Sequence, residues 1–141
     1  MSVTASAARS TNWLNVALWV VQVFLAAMYL FAGYTKVANT PDALAASMGW
    51  GWALSVPAWF VMFIGVAELL GAIGIVLPAA TRIMPWLTPL AAAGFVVVQV
   101  AAIVLHASRG EHAVLPFNLL LLAAAIFVLW GRTRKLPIAA R

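Results

Sequence analysis

At 141 residues the chain is long enough for one domain and too short for two. It is 66% hydrophobic and 8% charged, against about 45–50% apolar and about 25% charged in a soluble domain, so lipid must solvate its surface. The net charge of +5 comes from eight Lys and Arg with no basic cluster ahead of the tail, which argues against nucleic acid, and the lack of cysteine excludes thiolate, disulfide and Cys-metal chemistry.

Residues 1–12 are small and polar with one cation, Arg9, and read as a disordered tail. The apolar run that follows, 13–34, is longer than the core of a secretory signal and reads as an uncleaved spanning helix. A span needs about 20 mostly apolar residues. Three further stretches meet that length: 58–77, opened by Pro57 and closed by Pro78; 86–105, preceded by Pro85; and 114–130, ended by Gly131 and the basic tail 132–141. The predicted fold is all-α, an integral membrane four-helix bundle.

Between the first two spans, Asn39-Thr40-Pro41-Asp42 has the form of a helix start, with a capping side chain, Pro at the first position and an acid in the first turn. Ala43 to Met48 supplies two turns and Gly49 a stop. Trp50, Trp52 and Trp59 follow, as in an aromatic belt at the headgroups. This predicts a short helix on the outer face. Four spans put both termini on one side. That side holds Arg9, Arg82, Arg132, Arg134, Lys135 and Arg141, the other only Lys36 and Arg109, so the termini are expected in the cytoplasm of a bacterial cell membrane.

Glu68 is the one acid within the four spans, eleventh of twenty residues in the second. A charge at the membrane centre costs about 2.5–3.5 kcal/mol on insertion scales, so a carboxyl there is either protonated or partnered. Gln22, Tyr29 and Lys36, seven apart, share a face of the first span; Gln99 and His106, also seven apart, share a face of the third; Asn118 lies near the start of the fourth. Counted from the span ends at about 1.5 Å per residue, Glu68 is about 15 Å deep and Lys36 at the surface, too far for contact unless the lysine stem reaches inward. The expectation is a relay through Tyr29, Gln99 or water, in a polar interior open to the outer face.

Each group also has a plainer reading: helix-to-helix glue for Gln22, Gln99 and Asn118, interfacial residues for His106 and His112, and snorkelling for Lys36. Gly65, Gly71, Ala72 and Gly74 around Glu68 suit either close helix packing or room for a flat ligand. His106 and His112 make only a weak metal signal and no metal site is assigned. No phosphate loop, nucleophile–base motif or HExxH is present.

Three segments resemble a known family. Phe31-Ala32-Gly33-Tyr34-Thr35-Lys36 is similar to the F-x-G-x-x-K signature of DoxX-like membrane proteins, and the run from Gly65 to Gly74 resembles their G-x-x-E-x-x-G motif. His106, Arg109-Gly110-Glu111 and Asn118 resemble their third motif, before the last helix. The similarity covers residues 23–130. It implies the four-helix bundle, singles out Lys36, Glu68 and His106, and suggests proximity to quinone chemistry, because the family is similar to a subunit of a thiosulfate:quinone oxidoreductase.

The reading favoured is a bacterial membrane bundle binding a hydrophobic small molecule, a quinone or lipid, through Glu68, Lys36, His106, Gln99, Tyr29, Asn118 and Gln22. It lacks any group for electron transfer, so catalysis would need a bound quinone or a soluble or membrane oxidoreductase partner. The alternatives are a structural or assembly protein without ligand chemistry, and an oligomeric channel or proton path. Four helices bury little of their own surface, which leaves room for a dimer.

Overall fold

The structure is a computed structural model and describes residues 12–141. The tail expected over 1–12 therefore lies outside the described residues except for Asn12, which caps the first helix: its side chain accepts a hydrogen bond from the Asn15 backbone N–H at 3.2 Å.

The described residues form five α-helices and no strand: α1 (Trp13–Ala38), α2 (Pro41–Met48), α3 (Ala58–Thr81), α4 (Leu87–Ser108) and α5 (Leu115–Trp130). Four helical stretches are long and apolar enough to cross a membrane: α1, α3, α4 and His112–Lys135, which extends α5 at both ends. The chain is an integral membrane four-helix bundle. Its long helices alternate in direction, so one end carries α2 and the α4–α5 loop (the α2 end), and the other carries the chain termini (the termini end).

Neighbours around the bundle run α1, α3, α4, α5, with α1 packed most extensively on α3 and only thinly on α5. Leu25, Ile75, Ala92, Ala125 and Val128 fill the axis, each with less than 1% of its surface exposed. Outward-facing Val20, Phe63, Leu70, Val97 and Val104 are all more than 60% exposed. An apolar exterior of this kind is stable only in hydrocarbon.

Helix α2 forms as its residues demand. The Thr40 hydroxyl accepts from the Ala43 N–H, Pro41 occupies the first turn, and Gly49 ends the helix at φ +70°, where a side chain would be strained. A 3-10 turn, Gly51–Ser55, then folds Trp52 and Ala53 onto Leu44 and Val61.

Pro78 does not end α3, contrary to the boundary expected there; the helix continues to Thr81. A proline within a helix leaves the carbonyl four residues earlier without a donor. That carbonyl belongs to Gly74, and the buried Thr88 hydroxyl of α4 donates to it at 3.2 Å. The next carbonyl, that of Ile75, receives the Gln22 side chain at 2.7 Å. Neighbouring helices thus supply the hydrogen bonds that carry α3 past its proline.

Candidate functional site

Lys36 and Glu68 meet directly. Nζ lies 2.8 Å from Oε2, with the side chains 7% and 5% exposed. This overturns the expected relay, and the reason is register. A Cβ on Gly33 would stand 2.8 Å from the Gly65 carbonyl oxygen, and one on Gly65 2.9 Å from the Lys36 Cβ. Only glycines allow that approach, and it sets Gly33 level with Gly65. Lys36 and Glu68 each lie three residues further along antiparallel helices, so their backbones are about 9 Å apart along the axis. Side chains lean toward the N-terminus of their own helix. The lysine therefore leans inward and the glutamate toward the α2 end, and they converge. Lys36 Nζ also lies 3.5 Å from the Ala32 carbonyl, one turn back.

The segment after α2 closes over this pair. The ammonium is 4.7 Å from the Trp50 ring centre and 5.9 Å from that of Trp52. A cation held by one carboxylate and two aromatic faces is well compensated in low dielectric.

Tyr29 and Gln99 form a second contact, with the amide donating to the phenol at 2.6 Å. Tyr29 stacks on Phe95 at 3.7 Å between ring centres, and Phe95 in turn lies where a Cβ on Gly71 would be, 2.5 Å away. The small residues around Glu68 are thus consumed by packing: Gly65 by α1 and Gly71 by the Phe95 ring. Ala72 is not consumed in this way: it lines a hollow between α1 and α3. Gln99 Oε1 and Asn118 Nδ2 are buried without a hydrogen-bond partner in the structure.

His106 does not join the ion pair. Its Nδ1 is 2.6 Å from Glu111 Oε2, and Arg109 Nε donates to Glu111 Oε1 at 2.7 Å. Arg109 also donates to the Ser55 hydroxyl, tying the α4–α5 loop to the 3-10 turn that carries Trp52. The hydrogen bonds from His106 and then Arg109 hold the Glu111 carboxyl below the usual carboxylate range. Among the described residues no group of three potential metal ligands forms.

Gln22 lies at the other end of the bundle. Its Oε1 accepts from Arg132 Nε at 2.8 Å, while Arg132 Nη1 donates to Asn15 Oδ1 at 2.9 Å and to the Leu136 carbonyl at 3.2 Å. Arg132 is 4% exposed, stands 5.4 Å from the Trp19 ring and, among the described residues, has no carboxylate partner. The sequence alone presents it only as part of a basic tail. The one signal in the sequence is Gly131: a Cβ there would run into the Leu18 side chain, so the glycine lets the end of α5 close on α1.

A cleft of about 330 Å³ opens beside the ion pair, where α1 ends and α3 begins. Its walls include Lys36, Asn39, Thr40, Ala58, Val61 and Met62. Of the seven residues singled out from the sequence, only Lys36 lines it. Its lining combines Lys36, Asn39 and Thr40 with apolar residues of α1 and α3.

A family model described as DoxX-like family matches residues 20–128, a span that holds Lys36, Glu68, Gln99, His106 and Asn118 and stops short of Arg132. No curated protein and no solved structure matches the chain.

Proposed function

The chain belongs to the DoxX-like family, and from that premise we propose that it binds a lipophilic small molecule, a quinone or lipid, in the cleft beside Lys36. The observation that carries the proposal is a buried ion pair, one member of which belongs to the lining of a cleft on a bundle whose exterior is largely apolar. An ammonium has three protons to donate. Glu68 takes one and Ala32 weakly takes another, so Lys36 retains a donor for a ligand oxygen. Glu68 holds the lysine side chain in place. Trp50 and Trp52 shield the pair, and the Arg109–Ser55 tie holds their segment down.

In this reading the α2 end faces outward and the termini lie in the cytoplasm of a bacterial cell membrane, in keeping with the distribution of Lys and Arg. The protein would serve as the membrane subunit of a redox system whose electron-transfer groups belong to a partner enzyme. A benzoquinone added to the purified protein in lipid nanodiscs should quench tryptophan fluorescence saturably, through Trp50 and Trp52. Lys36→Met should abolish the saturable part; equal quenching in both proteins would count against the site.

A second reading has its own support. The pair is closed on itself and the interior around it is filled, as expected of a lock between α1 and α3. On that reading Lys36→Met and Glu68→Gln lower stability, and no saturable quenching is seen even with the wild-type protein.

A further inference from the structure

A second hollow lies on the same seam. It has a volume of about 420 Å³ and is lined on α1 by Val23, Ala27 and Leu30 and on α3 by Ile73, Val76 and Leu77. Its lining is almost wholly apolar. The two hollows fall along one line. On α1, Val23, Ala27, Leu30 and Val37 are spaced by four, three and seven, and so share a face. On α3, Met62, Ile73 and Leu77 are spaced by eleven and four and share a face likewise. Between the hollows the helix backbones touch at Gly33 and Gly65, with the Leu69 side chain packed over Gly33 and that of Val37 over Gly65, so a chain passing from one hollow to the other runs over Leu69. From Val37 to Val23 this seam runs fourteen residues, about 21 Å, or roughly two-thirds of a hydrocarbon core about 30 Å thick.

We propose that the α1–α3 seam is one binding groove for a single-chain amphiphile, with its polar head at Lys36, Asn39 and Thr40 and its tail lying over Ala27 and Leu30 toward Leu77. The charges further define the head. Lys36 is already matched by Glu68, so an anionic head would bring an uncompensated charge into low dielectric. A neutral head that accepts hydrogen bonds, a ring or ester carbonyl, takes the spare lysine proton without that penalty. Asn39 Nδ2 is spent on the Thr35 carbonyl, which leaves its side-chain oxygen to accept from a hydroxyl on the same head. This inference rests on the proposed cleft and adds the chain-binding half of the ligand.

The test uses the full chain in phosphatidylcholine nanodiscs with two probes sharing a neutral head: tetramethylbenzoquinone, which has no tail, and a benzoquinone with a decyl tail ending in a diazirine. Photolabel from the tailed probe is expected on α3 around Ile73 and Leu77. Ala27 is exposed, so Ala27→Phe fills the hollow without touching the core. It should cut that labelling about tenfold or more, the scale of a mismatch in an apolar pocket, while quenching by the tailless probe is unchanged. Label spread evenly over the lipid-facing surface, or undiminished in Ala27→Phe, overturns the groove and leaves the cleft standing. Loss of label because a second copy of the chain covers the seam, seen as a dimer by native mass spectrometry, overturns it too. If the tailless probe ignores Lys36→Met, the cleft reading fails first and the groove falls with it.

Discussion

The bundle buries two cations near its opposite ends and compensates them differently. At the α2 end Lys36 has a carboxylate at 2.8 Å and two indole faces. At the termini end Arg132 has two amide oxygens, a backbone carbonyl and one indole, and its Nη2 is buried without a partner. The three acidic side chains of the whole sequence, Asp42, Glu68 and Glu111, all belong to helices or loops of the α2 half, so no acidic side chain lies near Arg132. The contrast separates two jobs. Arg132 is spread over α1, α5 and the following segment, where it closes the thin α1–α5 seam. Lys36 is concentrated on a single opposite charge beside a cleft, the arrangement on which the proposed ligand site rests.

The two ends should respond differently to losing a partner. Glu68→Ala strands a buried ammonium and should cost about 3–5 kcal/mol, read from reversible unfolding in mixed micelles. The double substitution Lys36→Met with Glu68→Leu should recover most of that loss, because a buried pair is replaced by apolar volume. Arg132→Met removes a charge that had no counter-charge. It should cost only the orphaned Gln22 and Asn15 oxygens, about 1–3 kcal/mol. A loss at Arg132 equal to that at Glu68 would erase the distinction.

Gly33→Ala tests the register that makes the pair. Its Cβ meets backbone on the facing helix, with the Gly65 oxygen at 2.8 Å and the Leu69 nitrogen at 3.0 Å, and neither atom can move alone. A cost toward the upper end of the usual range, about 3 kcal/mol, is expected. The same substitution should weaken the measured coupling between Lys36 and Glu68 by pushing α1 off α3.

The smallest effect belongs to the loop tie. The Glu111 carboxyl is held below its ordinary range by His106 and Arg109. Its contribution to stability is therefore complete above the usual carboxylate range and is lost as pH falls through the lowered one. Glu111→Gln should flatten that acid limb of stability against pH. A limb of unchanged slope would mean the tie contributes nothing.

The architecture was legible because its causes are local. Long apolar runs specify spans, and Thr40-Pro41-Asp42 with Gly49 specifies α2. Pro78 misled because the compensation for its missing N–H comes from Thr88 on another helix. The site was legible in its parts: Lys36 and Glu68 stood out as charges in apolar sequence. Their contact was not, because depth counted from span ends ignores both the Gly33–Gly65 register and the reach of two side chains leaning toward each other. Gln22 shares a helical face with Lys36, yet faces Arg132 at the far end. Helical spacing fixes direction around an axis but not which level of a neighbour is met. Nor does it reveal that Arg132, in a run that reads as a solvated tail, folds back to 4% exposure.

Native mass spectrometry of the gently extracted protein tests the central claim, that ligand binding belongs to the Lys36–Glu68 end and not to the Arg132 end. A bound neutral lipophile should be present on the wild-type chain and on Arg132→Met, and absent from Lys36→Met when that variant is folded. A lipophile retained by Lys36→Met, or lost equally from both variants, would contradict the assignment.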